Sequence, residues 1–238
     1  SKAIIVDPNY YEAYYNLGIA YYNLDRYEDA ISSLSYAIKL NPDFEHAKSF
    51  LTFLKIEVCD WNNLPNYDPK MDSPIFSVSR YDNSKINLNT ARYWSDQIQK
   101  KMESYPKFIH SKKVKDKITI GYVSNDFYNH ATSYLINGLF KNHDANRFKI
   151  NIYSYGPPEK NYYLNKFKKE VNKFVDISKT SDYESAKKIF LDKIDILIDL
   201  KGFTGDTRLE IFALKPAPIQ ISWLGFPGST GAKFIDYI

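Results

Sequence analysis

His130, inside Gly121-Tyr-Val-Ser-Asn-Asp-Phe-Tyr-Asn-His-Ala-Thr-Ser133, is one of the residues of this chain best suited to a ligand. The others are the glycines of Gly202-Phe-Thr-Gly205 and Gly225-Phe-Pro-Gly-Ser-Thr-Gly231. Glycine turns let backbone amides approach a ligand closely, and Pro227 stiffens the second turn. An imidazole just ahead of a helix, with Thr132 or Ser133 as the cap, sits at the positive end of the helix dipole. That position favours a neutral ring able to accept a proton. The chemistry would be proton transfer, or orientation of a hydroxyl, beside a backbone cradle. The same position equally suits a His130 that only completes the helix cap. The plainer role for Gly225-Gly231 is a turn that packs Trp223 and Phe226.

Other chemistries lack their residues. There is no G-x-G-x-x-G or Walker loop, and the 225–231 spacing fits neither fingerprint. Four dispersed histidines and one cysteine offer no metal cluster. Asp192, Asp195 and Asp199 fall across a helix end and a strand, where solvation or capping accounts for them. No D-x-D or G-x-S-x-G motif is present, and Cys59 sits beside Trp61 away from the glycine turns. His46, His110 and His143 lie outside the loop cluster and are read as structural. Arg208 is read as a surface partner of Glu210 or Asp206, with phosphate contact as the alternative.

The elements that must position these loops are legible from residue 117 onward. Short β-branched runs alternate with helical segments, the pattern of a parallel α/β sheet wound by crossovers. Strands are predicted at 117–123, 148–155, 174–177, 194–200 and 217–223, with helices at about 132–142, 161–171, 182–193 and 207–214. Ligands of such sheets bind beyond the carboxyl ends of the strands. That rule places Ser124–Ala131, Lys201–Thr207 and Gly225–Gly231 on one functional side.

Upstream, Asp7-Pro8-Asn9-Tyr10 recurs as Asn41-Pro42-Asp43-Phe44, an offset of about 34 residues. Tyr14, Leu17, Gly18, Tyr21, Ala30, Leu34 and Ala37 fall where the 34-residue tetratricopeptide pattern wants its packing residues, and the segment resembles that repeat. A capping helix follows. Pro65, Pro69 and Pro74 predict irregular chain from Asn62 to Asp82. A helix capped by Asn89 or Thr90 then carries Ala91, Trp94, Ile98 and Met102 until Pro106 ends it. The expected domains are 1–58 (repeat and capping helix), 59–116 (irregular and helical connector) and 117–238 (sheet lobe).

Composition sets outer bounds. Hydrophobic residues make up 44% and charged residues 25%, enough for packed cores. The net charge of +4 is carried mostly by scattered lysine, a solvated surface rather than a nucleic-acid face. No apolar run reaches a membrane span and no signal-peptide pattern opens the chain. A single cysteine fits a reducing, cytoplasmic setting. The expectation is therefore no nucleic-acid and no membrane partner.

Taken in order, the repeat, Val58-Cys-Asp-Trp61, Ile120-Gly-Tyr-Val-Ser-Asn-Asp-Phe127, Asn129-His130 with Thr132-Ser133, Phe212-Ala-Leu-Lys-Pro-Ala-Pro-Ile-Gln220 and Trp223-Leu-Gly-Phe-Pro-Gly-Ser-Thr-Gly231 closely resemble the protein O-linked N-acetylglucosamine transferases, SPINDLY-like members included. The resemblance covers most of the chain, most weakly between Asn62 and Lys115. It implies a Rossmann-like lobe, the N-terminal half of a GT-B glycosyltransferase, with a C-terminal lobe that this chain lacks. It also implies inverting, metal-independent transfer from UDP-GlcNAc, or another nucleotide sugar, to Ser or Thr of acceptor proteins presented by the repeat, with no cofactor. His130 matches the histidine at the active-site mouth, a base or an orienting group. Leu224, Gly225 and Pro227 match the loop beside the donor sugar, and Thr132 is assigned with them to substrate binding. The lysine serving the departing diphosphate is expected beyond Ile238, so the isolated residues are expected to be inactive. One departure is Lys173, where the family pattern has a histidine ahead of Phe174-Val-Asp176. The alternatives are a non-catalytic interaction module, or a related enzyme with a fucose or glucose donor.

Overall fold

A computed structural model describes residues 2–62, 64, 66–110, 115–157 and 162–238. The positions of Asn63 and Pro65, 111–114 of the connector and 161 of the helix predicted at 161–171 lie outside the described residues. The chain divides into two compact units, Ser1–Asp82 and Asn83–Ile238, so the division falls inside the stretch expected to be a connector.

The first unit is helical: α1 (Lys2–Val6), α2 (Tyr11–Tyr22), α3 (Tyr27–Leu40), α4 (Glu45–Glu57) and α5 (Pro74–Arg80). Gly18 lets α2 and α3 close up, since a Cβ there would lie 2.9 Å from Leu34 Cγ and 3.3 Å from the Ala30 carbonyl. Ala30, Leu34, Ala37, Ala47 and Leu54 form the core, with Tyr14, Tyr21 and Phe50 packed against it. Helix α5 corrects the expectation of irregular chain to Asp82. Ser73 Oγ accepts the Phe76 N–H, and Pro74 occupies the first turn, where its missing N–H has no partner to lose. The prolines therefore bound a helix rather than exclude one. Behind it, Arg80 pairs with the buried Asp72 at 3.0 Å. Burial and that carboxylate push the Tyr81 phenol up to about 12.

The second unit opens with α6 (Ser84–Met102), capped by Asn83, whose side chain accepts the Lys85 and Ile86 N–H groups. The helix thus begins earlier than a cap at Asn89 or Thr90 would allow, and it ends at Met102, before Pro106. The rest alternates strand and helix: β1 (Ile118–Ser124), α7 (Ala131–Leu135), β2 (Phe148–Ser154), α8 (Tyr162–Glu170), β3 (Lys173–Asp176), α9 (Asp182–Leu191), β4 (Ile196–Asp199), α10 (Leu209–Ala213) and β5 (Ile219–Ser222). Helix α7 is shorter than predicted. It stops at Leu135, and only a 3-10 turn at Phe140–Asn142 follows.

All strand pairs are parallel, in the order β3-β2-β1-β4-β5. Side chains alternate between the two faces of β1. Val123, with Tyr153, Leu197 and Ala91, joins the core that includes Ile189 of α9 and Phe212 of α10. Ile120 and Tyr122 join Ile152, Phe140 and Phe167 on the other face. Strand order reverses direction at β1 and β4, and the crevice of such a sheet opens beyond their carboxyl ends. Among the described residues, no helix is long and apolar enough to cross a membrane.

Candidate active site

The loop after β1 is pinned from both sides. Ser124 Oγ accepts the Asp126 N–H at 3.0 Å, and Ser133 Oγ donates to the Asp126 carbonyl at 2.7 Å. Phe127 anchors the turn in the core at 1% exposure. His130 itself is the N-cap of α7: its Nδ1 accepts the Thr132 N–H at 3.2 Å. Neither Thr132 nor Ser133 caps the helix. Both are buried in its first turn, and the imidazole, not a hydroxyl, accepts the Thr132 amide. The His130 side chain keeps 36% of its surface exposed, so the ring is partly open to solvent.

The loop after β4 is organised by Asp199. This buried carboxylate accepts the Lys201 N–H at 2.9 Å, the Gly202 N–H at 2.8 Å and, at 3.4 Å, the Ser222 hydroxyl. Burial raises its pKa to about 6, against the lowering effect of those bonds and of the Lys201 charge. Asp199 thus fixes the turn after β4 and is neither solvated nor a helix cap, whereas Asp192 holds the C-cap position of α9. Asp192 accepts from Tyr153 and Lys173, and Asp195 accepts from the Thr119 N–H and pairs with Lys115. Among the described residues no cluster of three or more His, Cys, Asp or Glu is arranged to hold a metal.

The two glycine turns meet. Gly202 has φ 56°, and a Cβ there would stand 2.4 Å from Phe226 Cβ. A Cβ on Gly225 would stand 2.2 Å from the Leu200 carbonyl oxygen. Phe226 also packs edge-on against Phe203 at 5.8 Å, while Trp223 stays 42% exposed. Leu224 takes φ 77°, a left-handed backbone that costs a branched residue about 1–2 kcal/mol, and its side chain is exposed. Pro227 is exposed as well. The far end of the loop is held by α6, through the Ser95 hydroxyl donating to the Thr230 carbonyl at 2.7 Å.

A buried ion pair ties the first loop to the second. Lys201 Nζ lies 3.1 Å from both oxygens of Asp126, with side-chain exposures of only 8% and 3%. Asp126 Oδ2 in turn lies 3.8 Å from His130 Nδ1. The route from the imidazole to the glycine turns therefore runs through Asp126 and Lys201. Sequence reasoning singles out neither residue, because a lysine among many lysines signals nothing until its partner, 75 residues away, is in place. Tyr155, at the end of β2, escapes it for the same reason. Burial, then the charges of Asp199 and Asp126, hold its phenol well above its ordinary range.

Two other expectations change. Arg208 pairs with neither Glu210 nor Asp206. Its guanidinium binds Asp182 at 2.7 Å, the Ile177 and Thr180 carbonyls at 2.8 Å and Ser185 at 3.1 Å, a structural clamp on the turn into α9. Lys173 stands at the amino end of β3, the edge opposite the glycine turns, and pairs with Asp192. His143 meets the Tyr122 hydroxyl at 2.9 Å, and burial lowers its pKa. His110 bonds the Lys215 carbonyl. A cavity of about 420 Å³ lined by Tyr155, Ser178, Asp182 and Arg208 includes none of His130, Leu224, Gly225 and Pro227.

Comparison with known proteins gives this geometry a family. Residues 43–238 match the model of glycosyl transferase family 41, and residues 11–44 match the tetratricopeptide repeat. A UDP-N-acetylglucosamine--peptide N-acetylglucosaminyltransferase of Caenorhabditis elegans is 33% identical over 206 residues, 76% of this chain and 18% of that protein. A probable enzyme of the same name from Arabidopsis thaliana, SEC, is 43% identical over 122 residues, 51% of this chain and 12% of the relative. A solved structure of a Thermobaculum terrenum O-GlcNAc transferase mutant superposes with a TM-score of 0.69 at 26% identity, covering 99% of this chain and 41% of that one. The chain spans less than a fifth of the length of the two curated relatives. With a repeat, a parallel sheet lobe and the family's pattern running from Asp43 to its last residue, the chain belongs to glycosyl transferase family 41.

Proposed function

We propose that this chain is part of a protein O-glycosyltransferase that moves N-acetylglucosamine from UDP-GlcNAc to Ser or Thr hydroxyls of proteins, inverting the sugar's anomeric centre. In that reaction the hydroxyl oxygen forms the new bond to C1 of the sugar. The bond from C1 to the diphosphate breaks, and UDP and a proton leave. The observation that carries the reading is the junction of three loops at one edge of the sheet. His130 is linked through Asp126 and Lys201 to two glycine turns that lie against each other. His130 orients or deprotonates the hydroxyl, and the backbone beside Leu224, Gly225 and Pro227 lies along the sugar. Thr132, buried under His130, serves the substrate through its amide, which sets the ring.

The repeat at residues 11–44 supports recruitment of acceptor polypeptides. A cytoplasmic site of action belongs to the same proposal and is consistent with the single, unpaired and exposed Cys59. The test is mass spectrometry of Ser/Thr peptides after incubation of the whole natural protein with UDP-GlcNAc. A mass increase of one N-acetylhexosamine on a Ser or Thr is expected. Sugar arriving only from GDP-fucose or UDP-glucose would reassign the donor, and no sugar from any nucleotide donor would leave an interaction module.

A further inference from the structure

We infer that Lys201 is a positioning residue that sets the tautomer of His130, so that the ring offers an Nε2–H donor to the crevice. The ring's Nδ1 accepts the Thr132 N–H at 3.2 Å, and an accepting ring nitrogen carries no proton. In a neutral imidazole the proton then resides on Nε2, the nitrogen on the far side of the ring from the helix cap.

A second group competes for Nδ1. Asp126 Oδ2 lies 3.8 Å away, four residues earlier in the same loop, and a free carboxylate there would draw a proton onto Nδ1. The two arrangements exclude each other. A protonated Nδ1 would aim its N–H at the Thr132 N–H and leave that amide without its acceptor. Lys201 resolves the competition: its ammonium occupies both Asp126 oxygens at 3.1 Å in a site almost closed to water. Ser124 and Ser133 fix the Asp126 backbone at the same time, so the carboxylate has little freedom to turn toward the ring. The Tyr128 ring, centred 5.6 Å from the imidazole, adds no charge.

The catalytic meaning rests on the glycosyl-transfer reading above. If sugar is transferred here, His130 aligns a substrate oxygen by donating to it rather than by taking its proton through Nε2. Lys201 then acts on the reaction through Asp126 and the imidazole, without touching substrate.

The ring nitrogens of the ¹⁵N-labelled chain, measured by long-range ¹H–¹⁵N correlation at a pH where histidine is uncharged, test this directly. The wild type should show a protonated Nε2 and a bare Nδ1 for His130. Lys201→Met should shift the population toward Nδ1–H, Lys201→Arg should restore the wild-type pattern, and Lys201→Met with Asp126→Asn should restore it too. Lys201→Leu also removes every donor toward Asp126 and carries the same expectation if Lys201→Met does not fold. A wild-type ring protonated on Nδ1 overturns the inference. So does a folded Met or Leu variant whose His130 tautomer is unchanged. The readout does not depend on turnover, so an inactive protein with the expected tautomer would count against the functional reading alone.

Discussion

At Asp199 burial opposes three hydrogen bonds and the Lys201 charge, and burial prevails, which makes this carboxyl a pH-sensitive point in the fold. Its pKa rises from 3.8 in a free side chain to about 6 in the folded chain. A raised carboxyl pKa means that its contribution to stability is complete below about 3.8 and is lost as pH rises through about 6. A rise of that size corresponds to about 3 kcal/mol for a group this buried. Denaturant midpoints followed across that window should fall with pH in the wild type more steeply than in Asp199→Asn, which has no proton to lose. Parallel curves for the two proteins would show that the carboxylate is held ionised by the Lys201 and Gly202 amides instead. His130 gives a functional prediction at the same scale. In the complete enzyme of the proposed reaction, His130→Ala should lower transfer by about 10²- to 10³-fold, read as UDP release, the range for loss of one preorganised hydrogen-bond donor. Undiminished turnover would remove the ring from the mechanism.

Among the elements, the turns after β4 and β5 behave as one unit because glycine allows their backbones to touch. Gly205 and Gly225 separate the two reasons a glycine is required. Gly205 has φ 77° but open space around a would-be Cβ, whereas a Cβ on Gly225 would meet the Leu200 carbonyl at 2.2 Å. Gly205→Ala should therefore cost about 1–2 kcal/mol of backbone strain. Gly225→Ala should cost more, about 3 kcal/mol, because backbone rather than a side-chain tip must move. Thermal melts of the two variants check the order, and equal losses would mean that the loops part easily. Helix α9 offers a third element-level test. Ser181 Oγ accepts the Glu184 N–H while the Glu184 carboxylate accepts the Ser181 N–H, so Ser181→Ala should cost about 1 kcal/mol in urea denaturation.

On the scale of the molecule, the cores keep to their own units. The residues of the helical core run from Tyr14 to Leu54, and those of the two sheet cores from Ala91 to Ile235. A unit with its own core folds on its own terms. Residues 83–238 produced alone should give amide spectra that overlay those of the same residues in the full chain, His130 and Gly225 included. Collapse of that dispersion would mean that the sheet lobe needs the helices of residues 1–82.

Periodicity made all five strands legible, since short β-branched runs set between helical segments rarely arise outside a parallel sheet. The 34-residue repeat was legible because Gly18, Ala30 and Leu34 have sizes that close helix packing demands. The loops that carry His130 and the glycine turns were legible at one edge of the sheet because parallel topology sends every strand's carboxyl end there. Caps were harder to read. Asn83 and Ser73 start helices earlier than Asn89, or among prolines, because any of several polar residues can cap until the chain path selects one. What residue types could not reveal is how charges pair across distance. The Asp126–Lys201 bridge and the four-fold clamp of Arg208 depend on side chains brought together from separate strands and loops. Their energies come from burial and mutual geometry, and neither exists before the sheet has closed.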